Sequence, residues 1–328
     1  MNRSHAGIWV FVTLTVVALM LAGIILGTIP IRASDALSAL FGSGDPTTVA
    51  IVQTLRFPRV VMGVLVGAGL AMSGAALQGT LRNPLAEPYL LGVSGGAAVG
   101  AVLAFAVGAS DPRAVALAAF VGATSAVLLA LLVARAARST RGDPRTLLMA
   151  GVIIGAFANA VIMVILANAP PNTIRGALWW MMGSLSDSDW PAIKWLAVYL
   201  AVGGSALIIY AREIDLLALG EEAAAALGVN VDRAAQRAFL LAALVAAATV
   251  AAAGLIGFVG LIVPHIVRAL GVTRHRPLVL GSALVGAGLV VAADIVARTL
   301  LPPGELPLGA ITALLGVPFF LGQLRKIT

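Results

Sequence analysis

The sequence has no cysteine and very few charged residues. Because none of its 328 residues is cysteine, disulfides, thiolate metal sites and cysteine nucleophiles are excluded. Only 11% of the residues are charged, whereas a soluble domain carries about 25%. A chain this poor in charge cannot cover a water-facing surface. Its 60% hydrophobic residues and its mean hydropathy of +1.04 instead indicate a membrane protein.

Residues for catalysis are scarce as well. A phosphate-binding loop needs glycines followed by a lysine beside Ser or Thr, and the only lysines are Lys194 and Lys326. The three histidines, His5, His265 and His275, are too scattered to predict a metal cluster. We therefore predict no enzyme activity, no catalytic residue, no metal site and no cofactor bound by this chain.

Long runs without Asp, Glu, Lys or Arg predict the membrane-spanning helices. They cover residues 4–31, 60–81, 88–110, 114–134, 146–174, 195–211, 238–267, 277–293 and 306–324. The run 238–267 is too long for one crossing, and its second half contains three glycines and a proline. We predict that one helix ends there near Gly254 and another begins near Phe258. The expected fold is an all-α bundle of about ten transmembrane helices in a single domain, residues 1–328.

The distribution of basic residues predicts the orientation of this bundle. An even number of spans puts both termini on one side. With the N-terminus inside, 14 of the 21 Lys and Arg residues fall on the cytoplasmic side, as the positive-inside rule requires. We therefore expect cytoplasmic termini in a multi-pass membrane protein. The net charge of +7 does not indicate nucleic-acid binding, because the basic residues lie between apolar runs.

Glycines repeat at the spacing that lets helices approach closely. Gly92, Gly96 and Gly100 are four residues apart, and so are Gly151 and Gly155. Small residues at this spacing form a flat stripe on one helix face. We expect these stripes to serve helix packing.

Two polar segments stand out between the apolar runs. The first, Arg82–Pro88, contains two prolines, which fix φ and prevent a helix from continuing, so a rigid elbow is predicted. The second, residues 212–237, includes a short helix over Glu221–Gly228 with acidic residues in its first turn and a glycine stop. Composition leaves two interpretations open for this helix: a solvated connector, or a docking element for a cytoplasmic partner.

An ion-coupled secondary carrier is the main alternative to a subunit driven by a partner. Such carriers place ionisable groups deep within their helices. Only Asp294 qualifies, and Arg298 follows it at i+4 on the same helix face. The carrier hypothesis is therefore less favoured.

Seven stretches resemble the permease subunits of type II ATP-binding-cassette (ABC) importers, a family that carries ferric siderophores, haem and vitamin B12. They are Leu55–Val60, Gly69–Gly74, Arg82–Pro88, Leu91–Ala97, Gly257–Arg268, Asp294–Arg298 and Glu305–Gly309. They follow the family's order along nearly the whole chain.

The resemblance implies a set of partners. The chain would pair with a second copy of itself around a central translocation path and work by alternating access. Two cytoplasmic ATPase subunits would bind ATP and Mg, and a periplasmic or lipid-anchored substrate-binding protein would dock on the outer side. The lipid bilayer of the inner membrane would surround the subunit, and no nucleic acid is expected. Ferric siderophore is the expected cargo, with haem and vitamin B12 as alternatives.

The resemblance also implies roles for particular residues. The short acidic helix would couple the permease to the ATPase; its residues are Glu221, Glu222, Ala225, Leu227 and Gly228.

The cytoplasmic gate would be formed by Asn83, Pro84 and Leu85 together with Thr146, and Asn159 would line the pore.

Arg56, Arg59 and Arg298 are predicted on the outer side, against the positive-inside trend. Arginines at these places in similar permeases meet acidic residues of the binding protein, and a basic rim would steer such a partner. Lipid headgroups, or Asp294 in the case of Arg298, remain alternative contacts.

Overall fold

A computed structural model describes residues 3–136 and 144–324, and helices account for nearly all regular structure there. The α-helices are α1 Arg3–Ile25, α2 Ala33–Leu40, α3 Pro46–Ala50, α4 Phe57–Thr80, α5 Val93–Ala106, α6 Pro112–Ala136, α7 Pro144–Ala167, α8 Pro171–Met182, α9 Trp190–Ile209, α10 Ala211–Ala218, α11 Glu221–Ala226, α12 Val231–Ala253, α13 Val259–Ala269, α14 His275–Thr299 and α15 Leu308–Leu324. A π-helix, Ile51–Arg56, joins α3 to α4, and a 3₁₀-helix, Pro88–Leu91, precedes α5.

Ten of these segments account for the predicted membrane spans. Within the described residues, seven are long and apolar enough to cross a bilayer: α1, the continuous helix Pro46–Thr80, α6, α7, α9, α12 and α14. Three shorter apolar helices, α5, α13 and α15, complete the set. The prediction of an all-α membrane protein with about ten spans is confirmed.

The predicted break in the run 238–267 is also confirmed. Helix α12 ends at Ala253 and α13 begins at Val259. Gly254 has a φ of +73°, which an L side chain rarely adopts, and it ends α12. Phe258 has a φ of +68° and immediately precedes α13.

The run 146–174 was predicted as one span, and this was wrong at its C-terminal end. The span ends at Ala167, and a separate helix, α8, begins at Pro171. The reason lies in Pro170 and Pro171, because a proline cannot supply the N–H that a continuing helix requires. Proline is tolerated in the first turn of a new helix, where Pro171 lies.

Helix α4 forms the centre of the bundle and contacts its neighbours through backbone. A side chain on Gly67 would collide with the carbonyl of Gly286 in α14, and one on Gly74 would collide with Gly260 in α13. The hydroxyl of Ser73 donates a hydrogen bond of 2.7 Å to the carbonyl of Ala242 in α12. Small residues thus bring main chains into contact, as interfaces between membrane helices favour.

The predicted glycine stripes have the same role. Gly96 of α5 meets the backbone of Gly122 in α6, and Gly100 meets that of Ala118. Gly151 of α7 lies against the backbone of Leu91. The packing interpretation of the stripes is therefore confirmed.

The bundle has two ends with different polar side chains. One end, called here the Arg82 end, carries the C-terminus of α4, the helices α10 and α11, and the starts of α12 and α14. The opposite end, the Arg59 end, carries the starts of α4 and α15 and the C-termini of α1 and α14. The charge distribution predicts that the Arg82 end is cytoplasmic. Four of the basic residues counted there, Arg138, Arg141, Arg325 and Lys326, lie outside the described residues.

Candidate functional site

The predicted elbow between α4 and α5 is a tight turn at the Arg82 end. Asn83 Oδ1 accepts a hydrogen bond of 2.9 Å from the N–H of Leu85, and the Asn83 carbonyl accepts one of 3.0 Å from Ala86. Pro84 fixes a further φ angle. Leu85 is 46% exposed at the tip of the turn. The segment is held by its own hydrogen bonds and presents an apolar residue at its tip.

The short helix predicted over Glu221–Gly228 is α11, and Gly228 follows it with a φ of +84°. Its one buried residue is Ala224, whereas Glu222, Ala225, Leu227 and Gly228 are exposed. Four of the five predicted coupling residues thus form an accessible surface at the Arg82 end. A surface that offers both a carboxylate, Glu222, and an exposed leucine, Leu227, suits a protein contact.

The fifth predicted coupling residue, Glu221, makes a contact inside the subunit. Its Oε1 atom accepts a hydrogen bond of 2.6 Å from Nη2 of Arg82, the first residue of the elbow. About a third of each side chain remains exposed. The structure thus links the predicted coupling helix to the predicted gate, which the sequence alone did not indicate.

Helix α10 ties the same region to α14. Asp215 Oδ1 accepts a hydrogen bond of 2.9 Å from the backbone N–H of His275, and Nδ1 of the same histidine lies 2.7 Å away. This contact satisfies a donor at the start of α14 that has no partner within the helix. The segment 212–237, predicted as one polar stretch, is therefore α10, α11 and the start of α12, and side-chain hydrogen bonds from Asp215, Glu221 and Gln236 connect it to the bundle.

A buried carboxylate, Glu87, marks the other end of the elbow. Only 8% of Glu87 is exposed, and its Oε1 accepts a hydrogen bond from the backbone N–H of Phe258, just before α13. Burial raises the pKa of the Glu87 carboxyl to about 7, and this hydrogen bond opposes the shift only in part. In the sequence, Glu87 is part of the predicted elbow and has no predicted role of its own. Its place between two prolines gave no sign that it would turn inward.

The second predicted gate segment is the start of α7, which packs against the residues that follow the elbow. Thr146 is half-buried in the first turns of α7. Gly151, five residues further along, touches Leu91, and Gly92 approaches the Gly151 carbonyl. The chain that leaves the elbow therefore runs against the N-terminal part of α7. Its predicted role as a gate remains a prediction.

The predicted pore residue Asn159 is exposed near the middle of α7. Around it lies an exposed apolar face that includes Met149, Ile153, Phe157 and Met163. No charged residue occurs between Thr146 and Ala167. Helix α7 therefore has a long uncovered face, and the Asn159 amide is exposed near the middle of its length.

The three predicted docking arginines lie at the Arg59 end, but two of them point inward. Arg56 is 5% exposed and donates to the carbonyls of Ile24 (3.1 Å), Ile25 (2.5 Å) and Ile29. Arg298 is 3% exposed and donates to the Gly23 carbonyl at 2.5 Å. These oxygens lie in the last turn of α1 and just beyond it, where carbonyls lack a partner within the helix. The two guanidinium groups therefore cap α1.

The third arginine, Arg59, connects three parts of the same end. It forms ion pairs of 2.8 Å with Asp294 of α14 and with Glu305, which precedes α15. Arg298 Nε also lies 3.3 Å from Asp294, so the expected i,i+4 contact exists. For any of the three arginines to reach a partner, its side chain would have to leave these contacts. Their docking role remains a prediction.

A ten-span helical bundle with a short accessible helix beside a stiff elbow is the architecture of an importer permease. The chain superposes with a TM-score of 0.85 on a metal-chelate type ABC transporter solved in an inward-facing conformation, at 28% identity. The match covers 98% of this chain and 99% of that one. The protein is thus a membrane-spanning permease of the ABC importer class.

The particular family follows from sequence. Residues 14–326 match the model of the FecCD transport family, and the chain belongs to that family. It is 45% identical to the cobalamin import system permease protein BtuC of Halobacterium salinarum, over 86% of this chain and 75% of the relative. It is 40% identical to the hemin transport system permease protein HmuU of Yersinia pestis, over 81% and 80%. The predicted class of multi-pass inner-membrane ABC importer permease is therefore confirmed.

Proposed function

We propose that two copies of this chain enclose a translocation path and that the exposed face of α7 lines it. The observation that carries this proposal is Asn159, an amide exposed near the middle of an apolar span. Polar side chains at this depth are costly in lipid and usually face a bundle interior or a water-filled cavity. A second copy placed over this face, with water between the two, would give Asn159 polar surroundings.

The cargo is a metal chelate without strong net charge, and a corrinoid is the first candidate. Helix α7 offers no cation between Thr146 and Ala167 to match a chelate rich in carboxylates. Cyanocobalamin is neutral, whereas haem carries two propionates. The cobalamin permease of H. salinarum, at 45% identity, supports the same choice. A ferric siderophore of the neutral hydroxamate type fits this face as well and is the second candidate.

ATP is bound and hydrolysed on a partner subunit that docks at the Arg82 end. The exposed residues Glu222, Ala225 and Leu227 of α11 form the contact surface. A substrate-binding protein delivers the cargo at the Arg59 end. Because a ligand shifts a two-state protein only by its different affinities for the two states, the work of transport comes from ATP on the partner.

Uptake into proteoliposomes tests this proposal. The vesicles hold this subunit and its ATPase, with ATP inside and the binding protein outside, and are offered cyanocobalamin, a ferric hydroxamate siderophore or haem. Uptake of cyanocobalamin that requires both ATP and the binding protein is the expected result. Uptake of haem alone would overturn the assignment of a neutral cargo. Uptake by the isolated subunit, driven by a proton or sodium gradient, would establish the secondary carrier instead.

A second test addresses α11. Leu227→Asp places a charge on the proposed contact surface and should reduce the amount of ATPase that copurifies with the permease. Val107→Asp is the matched control, because Val107 is also an exposed apolar residue (84% against 60%) but follows α5, far from α11 in the chain. Equal copurification with both variants would contradict the assignment.

A further inference from the structure

The elbow Arg82–Pro88 is held at its first residue by the coupling helix. Arg82 has a φ of +48°, a left-handed conformation that is uncommon for a residue other than glycine. Its Nη2 atom lies 2.6 Å from Oε1 of Glu221, in the first turn of α11. Gly220, just before α11, has a φ of +107° and approaches the same guanidinium group. Two unusual backbone conformations therefore flank one ion pair.

The elbow is held near its last residue by α13. The carboxylate of Glu87 accepts the N–H of Phe258, which has a positive φ of its own. Among the described residues no cation pairs with Glu87, so the backbone of α13 is its polar partner. The positive end of the α13 dipole favours an acceptor at this point. This second contact is buried, whereas the Arg82–Glu221 pair is part-exposed.

Between these two contacts the segment is stiff. The Asn83 side chain and carbonyl hold Leu85 and Ala86, and Pro84 and Pro88 fix their own φ angles. The N–H groups of Arg82 and Asn83 donate to the Gly79 and Gln78 carbonyls of α4, so this stiff segment can turn as a unit together with the last turn of α4.

We propose that the elbow is a lever, in which Arg82 and Glu221 transmit movement of α11 to the gate and Glu87 is the point about which the elbow turns. This inference rests on the proposed coupling role of α11, and it assigns different roles to the residues of that helix. Glu221 is a positioning residue that faces the elbow inside the subunit, whereas Glu222 and Leu227 face the ATPase. Arg82, which the sequence analysis assigned to no function, becomes part of the transmission.

A charge exchange tests the lever in the complete complex. Uptake, ATP hydrolysis and assembly are measured for wild type, Arg82→Glu, Glu221→Arg and the double variant with both changes. Each single variant places like charges together and should lower the cargo imported per ATP hydrolysed by about fivefold or more, the usual lower range of allosteric couplings. The double variant restores the ion pair with the two charges exchanged between positions 82 and 221. It should return the cargo imported per ATP hydrolysed to within about twofold of wild type.

The matched control is Arg113→Glu. Arg113 forms an ion pair of 2.7 Å with Asp189, also between side chains that are part-exposed, but it joins α6 to the start of α9. It should leave the import ratio unchanged. Single variants with a normal ratio would overturn the lever while leaving the transporter assignment intact. A wild-type complex without ATP-dependent uptake would instead overturn the proposed function and the lever with it.

If a charge variant does not assemble with the ATPase, thiol cross-linking tests the lever instead. Because the chain has no cysteine, Arg82→Cys with Glu221→Cys introduces its only two thiols. Before reaction the import ratio should be low, since the ion pair is missing. A short bifunctional thiol reagent should restore the ratio by reconnecting α11 with the elbow. A ratio that stays low after complete cross-linking would overturn the lever.

Discussion

Arg59 and Asp294 form an ion pair of 2.8 Å whose side chains are only 11% and 3% exposed. Asp294 also lies next to Arg298, so one buried carboxylate balances two guanidinium groups. Removing it leaves two buried cations without this partner, and breaking a buried pair in this way costs about 3–5 kcal/mol.

Asp294→Ala should therefore destabilise the subunit strongly. Thermal unfolding of the purified protein in detergent measures the effect. The double change Arg298→Met with Asp294→Leu should be less harmful, because Arg298 is then not left buried without a carboxylate and Arg59 keeps its ion pair with Glu305. Arg113→Ala, at a part-exposed ion pair, should leave the unfolding midpoint near that of wild type. A midpoint unchanged by Asp294→Ala would show that the pair contributes nothing.

Gly67→Ala should destabilise the contact between α4 and α14. The added methyl group meets the Gly286 carbonyl, and a main chain cannot move aside as a side chain can. Overpacking a core costs about 1–3 kcal/mol, and we expect at least the upper part of this range. Gly7→Ala is the control, because a methyl group there meets no atom within 4 Å. Gly7→Ala should unfold at the wild-type temperature. If Gly67→Ala does so as well, the backbones of α4 and α14 are not in direct contact.

Glu87 should give the stability of the protein a particular pH dependence. Its pKa is about 7 in the folded protein, against an ordinary value of 4.5. Between these two values the folded state binds more protons than the unfolded state, so the free energy of unfolding falls as pH rises. The loss is about 3 kcal/mol and is complete above the folded pKa.

Glu87→Gln tests this dependence, since the amide keeps an acceptor oxygen for Phe258 and cannot ionise. Unfolding midpoints are compared at pH 5 and pH 8. The wild-type midpoint should drop more than that of the variant over this interval. Parallel curves for the two proteins would show that Glu87 does not ionise in this range.

Asn159→Cys should report whether α7 faces water. The chain has no other thiol, so a membrane-impermeant maleimide can label only the introduced one. We expect labelling in the assembled complex. Phe11→Cys is the control, because Phe11 is 70% exposed on α1, the span with the least buried surface. Phe11→Cys should stay unlabelled, and the same absence of label at Asn159→Cys would place α7 against lipid.

The sequence predicted the spans well because hydrophobic runs and glycine breaks are local signals. The break between Gly254 and Phe258 needed only the length of the run and its glycines. The boundary between α7 and α8 was missed, although Pro170 and Pro171 were visible, because the run without charged residues continues through them as far as Ile174.

The side-chain contacts were predicted poorly because they join residues far apart in sequence. Arg82 and Glu221 are 139 positions apart, and Arg56 is 31 positions from Ile25. A single sequence shows that an arginine lies at a helix end, but it does not show which carbonyl the side chain reaches. For this reason Arg56 and Arg298 were predicted on an exposed rim and lie buried in the subunit.

The arginine caps of α1 have a consequence for how this helix can change over evolution. Arg56 and Arg298 make their hydrogen bonds to α1 and the residues just after it through main-chain oxygens alone, between Gly23 and Ile29. Main-chain oxygens are the same in every residue type, so the outward side chains of α1 can be substituted without loss of these hydrogen bonds. One inserted residue, however, moves these oxygens by about 1.5 Å along the axis and about 100° around it. The arginine caps therefore fix the register of the C-terminal part of α1, and side chains are restricted only where they face the caps, as at Gly27, where a Cβ atom would lie 2.8 Å from the Arg56 guanidinium group.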